Sequence, residues 1–167
     1  MGKDKADIKE ILKESKKLPR FEDGRIDYSK ADKAPVLIVF IQDPEGKILL
    51  LRRSEKVMAY RGMWSSLAGF IDEDKPIKEK VLEELSEELE IKREMIEEMV
   101  MGENYEYHDV KKKRTWWRFP VLVKLKLRPE IKLDWEHTEL KWVKLGEVSK
   151  YEMPPGTEES LMRLIGI

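Results

Sequence analysis

The sequence predicts an α/β fold in which a central mixed β-sheet is covered by helices on both faces. Three observations support this: a continuous apolar run rich in β-branched residues at positions 35–41, a helix with a regular apolar stripe at 75–91, and several strand-like segments around that helix. Strands that surround one long helix, with further helices at both ends, are typical of a layered α/β domain. We expect residues 1–33 to form an N-terminal helix and arm, and residues 34–167 to form the domain.

At the N-terminus, residues 6–18 place apolar side chains at helical spacing among many charged ones, and Pro19 follows directly. This pattern predicts a short amphipathic helix of modest burial. Residues 20–34 contain few apolar side chains and are expected to form an irregular arm.

The first strands are defined by their flanking turns. Residues 35–41 have the apolar pattern of a strand buried on both faces. The sequence Asp-Pro-Glu-Gly at 43–46 predicts a turn, because proline pre-sets the second position and glycine accepts a positive φ. Residues 47–53 then return as the second strand of a hairpin, and residues 64–70 form a further short strand.

The helix at 75–91 is the most regular segment of the chain. Pro76 suits its first turn, and either Asp72 or Asp74 could cap it. Its apolar side chains share one helical face: Ile77, Val81, Leu82, Leu85 and Leu89. Beyond it we expect strands at 99–107, 115–127 and 140–143, a turn at 111–114, and short helices at 147–151 and 158–165.

Three glutamates of this helix form a second stripe. Glu84, Glu87 and Glu88 lie at about 0°, 300° and 40° around the helix axis, next to the apolar face. Such like charges repel by a few tenths of a kcal/mol per exposed pair, and a divalent cation would remove that penalty. Carboxylate oxygens are the ligands that Mg²⁺ or Mn²⁺ prefers. The alternative interpretation is an ordinary solvated acidic face.

The composition excludes several classes of protein. The chain has 167 residues, of which 41% are hydrophobic, enough for one buried core. Because 33 Lys and Arg nearly balance 34 Asp and Glu, stable nucleic-acid binding is not expected. With 0 cysteines, the chain has no disulfides, thiolate metal sites or cysteine nucleophiles. No apolar run is long enough for a membrane span, and the first residues, MGKDKADIKE, are unlike a signal peptide. We therefore expect a cytoplasmic protein.

Residues 69–91, here called the box segment, resemble the Nudix box, whose pattern is G-x5-E-x7-R-E-U-x-E-E-x-G-U with U a bulky aliphatic residue. Aligned on Gly69, the segment retains five further positions of the pattern: Glu84, Leu85, Glu87, Glu88 and Ile91. Three positions depart from it. Lys75 replaces the box glutamate, Glu83 replaces the box arginine, and Glu90 replaces the box glycine.

The resemblance to the Nudix family extends over roughly residues 34–151. Upstream of the box segment are Leu-Leu-Leu-Arg-Arg-Ser at 49–54, Gly-Met-Trp at 62–64 and Leu-Ala-Gly at 67–69. Downstream, Trp-Glu-His-Thr-Glu at 135–139, followed by Trp142, is similar to a late E-x-x-E-x-x-W stretch of many members. The resemblance implies a Nudix-like α/β/α sandwich.

For function, the resemblance implies a hydrolase that cleaves a nucleoside diphosphate linked to another group, by attack of water on phosphorus in the presence of Mg²⁺ or Mn²⁺. It implies that Glu84, Glu87 and Glu88 are metal ligands, with Glu87 also catalytic. Gly69 would let the backbone approach metal and phosphate closely. The substrate is expected to be a small nucleotide-type molecule, with Arg52 and Arg53 near its phosphates.

Two further assignments follow from the resemblance. Lys75 and Glu83 reverse the charges of the family's supporting pair, and we hypothesise that they form an inverted version of its ion pair. A general base must also be supplied, and Glu136 and Glu139 are the candidates, with His137 a weaker one.

Other functions were weighed against hydrolysis. The altered positions Lys75 and Glu83 are compatible with a catalytically weakened Nudix-fold module that binds nucleotides or regulates. A relative of isopentenyl diphosphate isomerase is disfavoured, because those enzymes use a catalytic cysteine. Trp116 and Trp117 are adjacent, so on a strand they face opposite sides. One of them could seal an interface, and a homodimer is therefore possible.

Overall fold

The computed structural model describes residues 8–166 and contains a mixed sheet with helices on both faces. Within these residues the strands and α-helices follow the order α1 (Ile8–Ser15), β1 (Lys33–Gln42), β2 (Ile48–Arg53), β3 (Trp64–Ser65), β4 (Leu67–Phe70), α2 (Ile77–Leu89), β5 (Ile96–Met101), β6 (Tyr105–Asp109), β7 (Arg114–Leu125), β8 (His137–Val143) and α3 (Thr157–Leu164). Two 3₁₀ turns, Arg93–Met95 and Leu145–Lys150, follow α2 and β8.

The sheet is built around β1. Its strands run in the order β3-β2-β1-β7-β5, while β4 pairs with β1, β6 with β7, and β8 with β2. β1 and β7 are parallel, and the other pairs are antiparallel. The predicted fold, an α/β arrangement with a central mixed sheet, is therefore confirmed.

Side-chain alternation along β1 divides the core into two layers. Leu37, Val39 and Ile41 pack on one face with the buried side chains of α2, which are Val81, Leu85 and Leu89. Ile38 and Phe40 pack on the other face with Val148 and with Leu161 of α3. Because both faces are covered, β1 can be apolar on both sides, as its sequence predicts.

The N-terminal segment is packed more deeply than predicted. α1 begins at Ile8 in the described residues, and positions 6 and 7 of the predicted helix lie outside them. Ile11 joins the core on the α2 side of the sheet. Leu12, Ile26 and Tyr28 form a separate small core with Ala34. The arm is irregular, as predicted, with one isolated β-bridge between Arg20 and Ile26. Ile26 and Tyr28 are nevertheless buried, because their side chains find tertiary partners.

Several predicted boundaries need correction. The strand expected at 64–70 is interrupted at Ser66, and the one expected at 99–107 is two strands, β5 and β6. β7 is 12 residues long, so β6 pairs with its first half and β5 with its second. The break falls at Gly102, where a Cβ atom would lie 2.8 Å from Leu164.

The start of α2 also differs from the prediction. The residue before the helix is Pro76, and no side chain caps it, so neither Asp72 nor Asp74 acts as the predicted cap. The proline fixes an extended backbone at this position but offers no hydrogen-bonding side chain. None of the helices in residues 8–166 has the length and apolar character needed to cross a membrane.

Candidate functional site

The glutamate stripe of α2 borders the buried face of the helix. Glu84 and Glu88 are half-buried beside fully buried Leu85 and Leu89, whereas Glu87 is exposed. Glu84 is close enough to Glu88 to help raise the pKa of that carboxyl. The Oε2 atom of Glu88 is buried and has no hydrogen-bond partner. A buried oxygen of this kind is costly unless a ligand or ion contacts it.

A loop before β8 adds two more carboxylates. The Glu136 carbonyl accepts a hydrogen bond of 2.8 Å from the Ser54 amide, which ties this loop to the end of β2. The Glu136 amide donates to Asp134 Oδ1 at 2.9 Å. Both carboxylates act electrostatically on Glu88. We call Glu84, Glu88, Asp134 and Glu136 the carboxylate cluster.

Two acids of the cluster have raised pKa values. Burial, the neighbouring Glu84 and the charge of Glu136 together raise the pKa of Glu88 to about 9. Burial and the neighbouring Asp134 raise the pKa of Glu136. In the absence of a cation Glu88 therefore holds a proton near neutral pH, as expected for a carboxylate beside other acids in a partly desolvated place.

Lys80 supplies a positive charge to the cluster. Its Nζ lies 3.0 Å from Glu84 Oε1, one helical turn away, and both side chains are less than one-fifth exposed. Burial lowers the pKa of Lys80, but the hydrogen bond and the charge of Glu84 outweigh this and raise the pKa overall. Lys80 and Asp134 were not predicted from the sequence, although the spacing of Lys80 and Glu84 is that of a helical ion pair.

Gly69 lies against the cluster. It pairs with Leu37 of β1, and a Cβ atom built on it would lie 3.7 Å from both carboxylate oxygens of Glu84. Any side chain at this position would therefore rest on the carboxylate. Because the glycine has no side chain, it leaves this side of the Glu84 carboxylate uncovered.

The ion pair hypothesised between Lys75 and Glu83 is present as a contact. Lys75 Nζ donates hydrogen bonds to both oxygens of Glu83, at 2.7 and 3.0 Å. It also lies 3.2 Å from Glu73. The hydrogen bond with Glu83 is the main reason that the pKa of Lys75 is raised.

The two arginines of β2 face opposite sides of the sheet. Arg53 lies half-buried on the same face as the cluster, where it interacts electrostatically with Glu136. Its Nε donates a hydrogen bond of 3.0 Å to the Ala59 carbonyl. Arg52 pairs across the sheet with Glu139, and its Nη1 lies 2.7 Å from Glu139 Oε2. The structure therefore brings Arg53 and Glu136 to the cluster, and places Arg52 and Glu139 away from it.

His137 is buried beside the cluster. Its Nδ1 lies 3.8 Å from Asp134 Oδ1, and burial lowers its pKa, so the ring is neutral at neutral pH. One ligand atom from each of Asp134, Glu136 and His137 lies within 4.8 Å of the other two. With the glutamates of α2, the donor set consists mainly of hard carboxylate oxygens. It fits Mg²⁺ or Mn²⁺, and the orphaned Glu88 oxygen supports the same conclusion.

Glu90 stands where the box pattern has glycine. It terminates α2 in the left-handed conformation, with φ 55° and ψ 32°, and its amide bonds back to the last turn. The backbone geometry that normally favours glycine is therefore retained without glycine. The departure concerns the helix end and leaves the cluster unaffected.

Comparisons with known proteins identify the family and the fold. The family model for the NUDIX domain matches residues 32–164. No curated protein matches the sequence. Among solved structures, the MutT protein from Methanosarcina mazei Go1 is 24% identical, with TM-score 0.62 over 82% of this chain and 96% of that one.

Two other solved structures share the fold. The NUDIX domain of Shewanella oneidensis NrtR, solved with ADP ribose, is 18% identical, with TM-score 0.59 over 77% of this chain and 86% of that one. A bifunctional NMN adenylyltransferase/ADP ribose pyrophosphatase from Francisella tularensis is 19% identical, with TM-score 0.67 over 95% of this chain and 46% of that one. With the family model covering most of its length, the chain belongs to the NUDIX domain family.

Proposed function

We propose that this protein is a Mg²⁺-dependent Nudix hydrolase, with Mn²⁺ as an alternative ion, that cleaves the phosphoanhydride of a nucleoside diphosphate linked to another group. The observation that carries the proposal is the group formed by Asp134, Glu136 and His137, with one ligand atom of each within 4.8 Å of the others. Glu136 and Asp134 also act electrostatically on Glu88 of α2. One buried oxygen of Glu88 has no protein partner. Carboxylates this close to one another repel when no cation is present, and a bound cation would neutralise that repulsion.

The metal would be held by Glu84 and Glu88, with Glu87 on the solvent side of the same stripe and Asp134 and Glu136 from the loop. A bound divalent ion would neutralise the pyrophosphate and lower the pKa of a bound water. The role of the glutamates is to bind it as a preformed set of hard ligands.

Glu136 is the best-placed general base. It lies on the same face of the sheet as the other acids of the cluster, and its backbone is fixed through Ser54. Glu139, the other candidate, lies on the opposite face of the sheet in an ion pair with Arg52. We therefore assign the proton transfer to Glu136, and the positioning of α2 to Lys75 and Glu83.

The substrate class is a nucleotide derivative. One fold neighbour was solved with ADP ribose and another is named as an ADP ribose pyrophosphatase. Arg53 on the site face is the phosphate contact that we propose, since Arg52 points to the other face. A chain with 0 cysteines fits a reducing, cytoplasmic setting.

The test is a chromatographic screen for nucleotide products, such as the nucleoside monophosphate, from nucleoside triphosphates, nucleotide sugars and dinucleoside polyphosphates, with Mg²⁺ and with EDTA. We expect Mg²⁺-dependent cleavage of at least one compound, lowered at least about 100-fold in Glu88→Gln. Glu79→Gln is the matched control, because this exposed glutamate lies about 220° around the same helix from Glu84. Activity that survives in Glu88→Gln would refute the assignment.

A nucleotide-binding module without catalysis is the second candidate. The specific observation in its favour is the reversed pair Lys75 and Glu83 in the box segment. It predicts that the wild-type protein binds a nucleotide in calorimetry and cleaves no compound in the screen.

A further inference from the structure

The segment that precedes the family match packs on the loop that leads into α2. The hydroxyl of Tyr28, a residue only 2% exposed, donates a 2.6 Å hydrogen bond to the carbonyl of Ile71. Leu12 of α1 packs in the same small core as Tyr28. Tyr28 thus connects the N-terminal helix to the loop, although it lies 43 residues before Ile71.

Ring stacking adds a second contact at the same place. The ring of Tyr28 stacks on Phe70, the residue before Ile71, with centroids 5.0 Å apart. Phe70 stacks in turn on Trp116 at 5.8 Å. Ile26 and Ala34 belong to the same small core as Tyr28. The tyrosine is therefore fixed by packing, so its hydroxyl is aimed at one carbonyl.

Side chains of opposite charge face each other between the N-terminal segment and the same loop. A cavity of about 180 Å³ between α1 and the loop is lined on the helix side by Lys13, Lys16 and Arg20. Asp72 and Asp74 line the loop side. Opposite charges across this cavity attract, and so favour α1 remaining close to the loop.

Ile71 lies between two groups that shape the site. Its amide donates to the Pro35 carbonyl at 3.0 Å, and its carbonyl accepts from Tyr28, so both of its backbone groups are anchored. Gly69, two residues earlier, lies against Glu84. Lys75, four residues later, pairs with Glu83.

We propose that Tyr28 is a positioning residue, which fixes the loop at Ile71 and so holds Gly69 and Lys75 against α2. The proposal rests on the proposed function, since the groups it positions are those of the metal site. Loss of the hydroxyl leaves a buried carbonyl without a partner and loosens the loop. Residues outside the family match thus help to order the carboxylate cluster.

The experiment compares Tyr28→Phe with Tyr105→Phe. Both substitutions remove one buried tyrosine hydroxyl, and the hydroxyl of Tyr105 bonds Ser160 of α3, away from the loop. Amide hydrogen exchange reports on residues 71–75, and electron paramagnetic resonance with Mn²⁺ as the probe reports on the site. We expect Tyr28→Phe to speed exchange at 71–75 and to weaken Mn²⁺ binding, each about tenfold. Tyr105→Phe should change neither, even where its loss of thermal stability is similar.

Two results overturn the proposal: exchange at 71–75 in Tyr28→Phe equal to that in Tyr105→Phe, or faster exchange with unchanged Mn²⁺ affinity. A wild-type protein that binds no Mn²⁺ refutes the proposed function instead. In that case the hydrogen exchange of the two variants still decides whether Tyr28 positions the loop.

Discussion

Lys75 donates hydrogen bonds to both carboxylate oxygens of Glu83, at 2.7 and 3.0 Å. The Nudix box has an acid at the first of these positions and an arginine at the second, so this chain keeps an ion pair with its charges reversed. The pair links the entry of α2 to its second turn, beside Glu84. Both residues therefore act on the site through the orientation of the helix.

Reversing one charge of this pair should weaken metal binding. In Lys75→Glu, two acids face each other next to Glu84, and we expect Mn²⁺ affinity to fall about tenfold, as for other residues that orient metal ligands. The double variant Lys75→Glu with Glu83→Arg restores the family's own polarity and should recover most of the affinity. Lys78→Glu, which changes an exposed lysine of the same helix, is the control. Wild-type affinity in Lys75→Glu would contradict a supporting role.

Removing the ionisable group at position 88 should stabilise the metal-free protein at alkaline pH. The unfolded chain loses this proton near the ordinary pKa of 4.5, whereas the folded chain retains it up to about 9. The unfolded state thus binds fewer protons between these values, and the stability of the wild type falls as pH rises through that range. Glu88→Gln does not ionise there, so at pH 8 it should be more stable than wild type by about 1 kcal/mol or more.

Urea unfolding in EDTA at pH 5 and pH 8 measures this difference. The stability gap between Glu88→Gln and wild type should widen at the higher pH, while Glu79→Gln should follow the wild type at both. A gap that is the same at both pH values would show that Glu88 carries no raised pKa.

Gly69→Ala should separate metal binding from folding. The added methyl group would lie 3.7 Å from the Glu84 carboxylate, which is ordinary van der Waals contact, and the glycine does not have a positive φ. We expect stability within about 0.5 kcal/mol of wild type but several-fold weaker Mn²⁺ binding, because the methyl covers the carboxylate. Gly146→Ala, where the Cβ meets open space, should leave both unchanged. A large loss of stability in Gly69→Ala would point to a packing role instead.

Glu90→Gly should stabilise the fold. A residue with a side chain is strained at φ 55°, and glycine removes that strain, so we expect a gain of about 0.5–1 kcal/mol in the free energy of unfolding. Glu79→Gly, inside the helix, should instead cost about 1 kcal/mol. Thermal unfolding of the two variants checks the opposite signs.

Those parts of the fold that depend on local sequence, such as β1 and α2, were predictable from the sequence. The apolar run of β1 and the apolar stripe of α2 appear in the sequence as continuous and periodic signals. The packing of Tyr28 does not, because its burial depends on a contact with Ile71, 43 residues away. In the same way, the division of the segment 99–107 into two strands depends on β7, which pairs with both.

The candidate site was predictable to a similar extent. The helical spacing of Glu84 and Glu88 places them together, and Glu136 came from the family resemblance. Asp134 belongs to the cluster through a turn with no strong sequence signal. The difference between Arg52 and Arg53 follows from strand alternation, but it needs the register with β8, which only the structure shows.

The most direct test of the central claim is a Mn²⁺ titration of four proteins by electron paramagnetic resonance: wild type, Glu88→Gln, Glu136→Gln and Glu79→Gln. If α2 and the loop before β8 together hold one divalent ion, Glu88→Gln and Glu136→Gln each weaken binding at least about tenfold, and Glu79→Gln binds as wild type does. Wild-type affinity in both Glu88→Gln and Glu136→Gln would contradict the account.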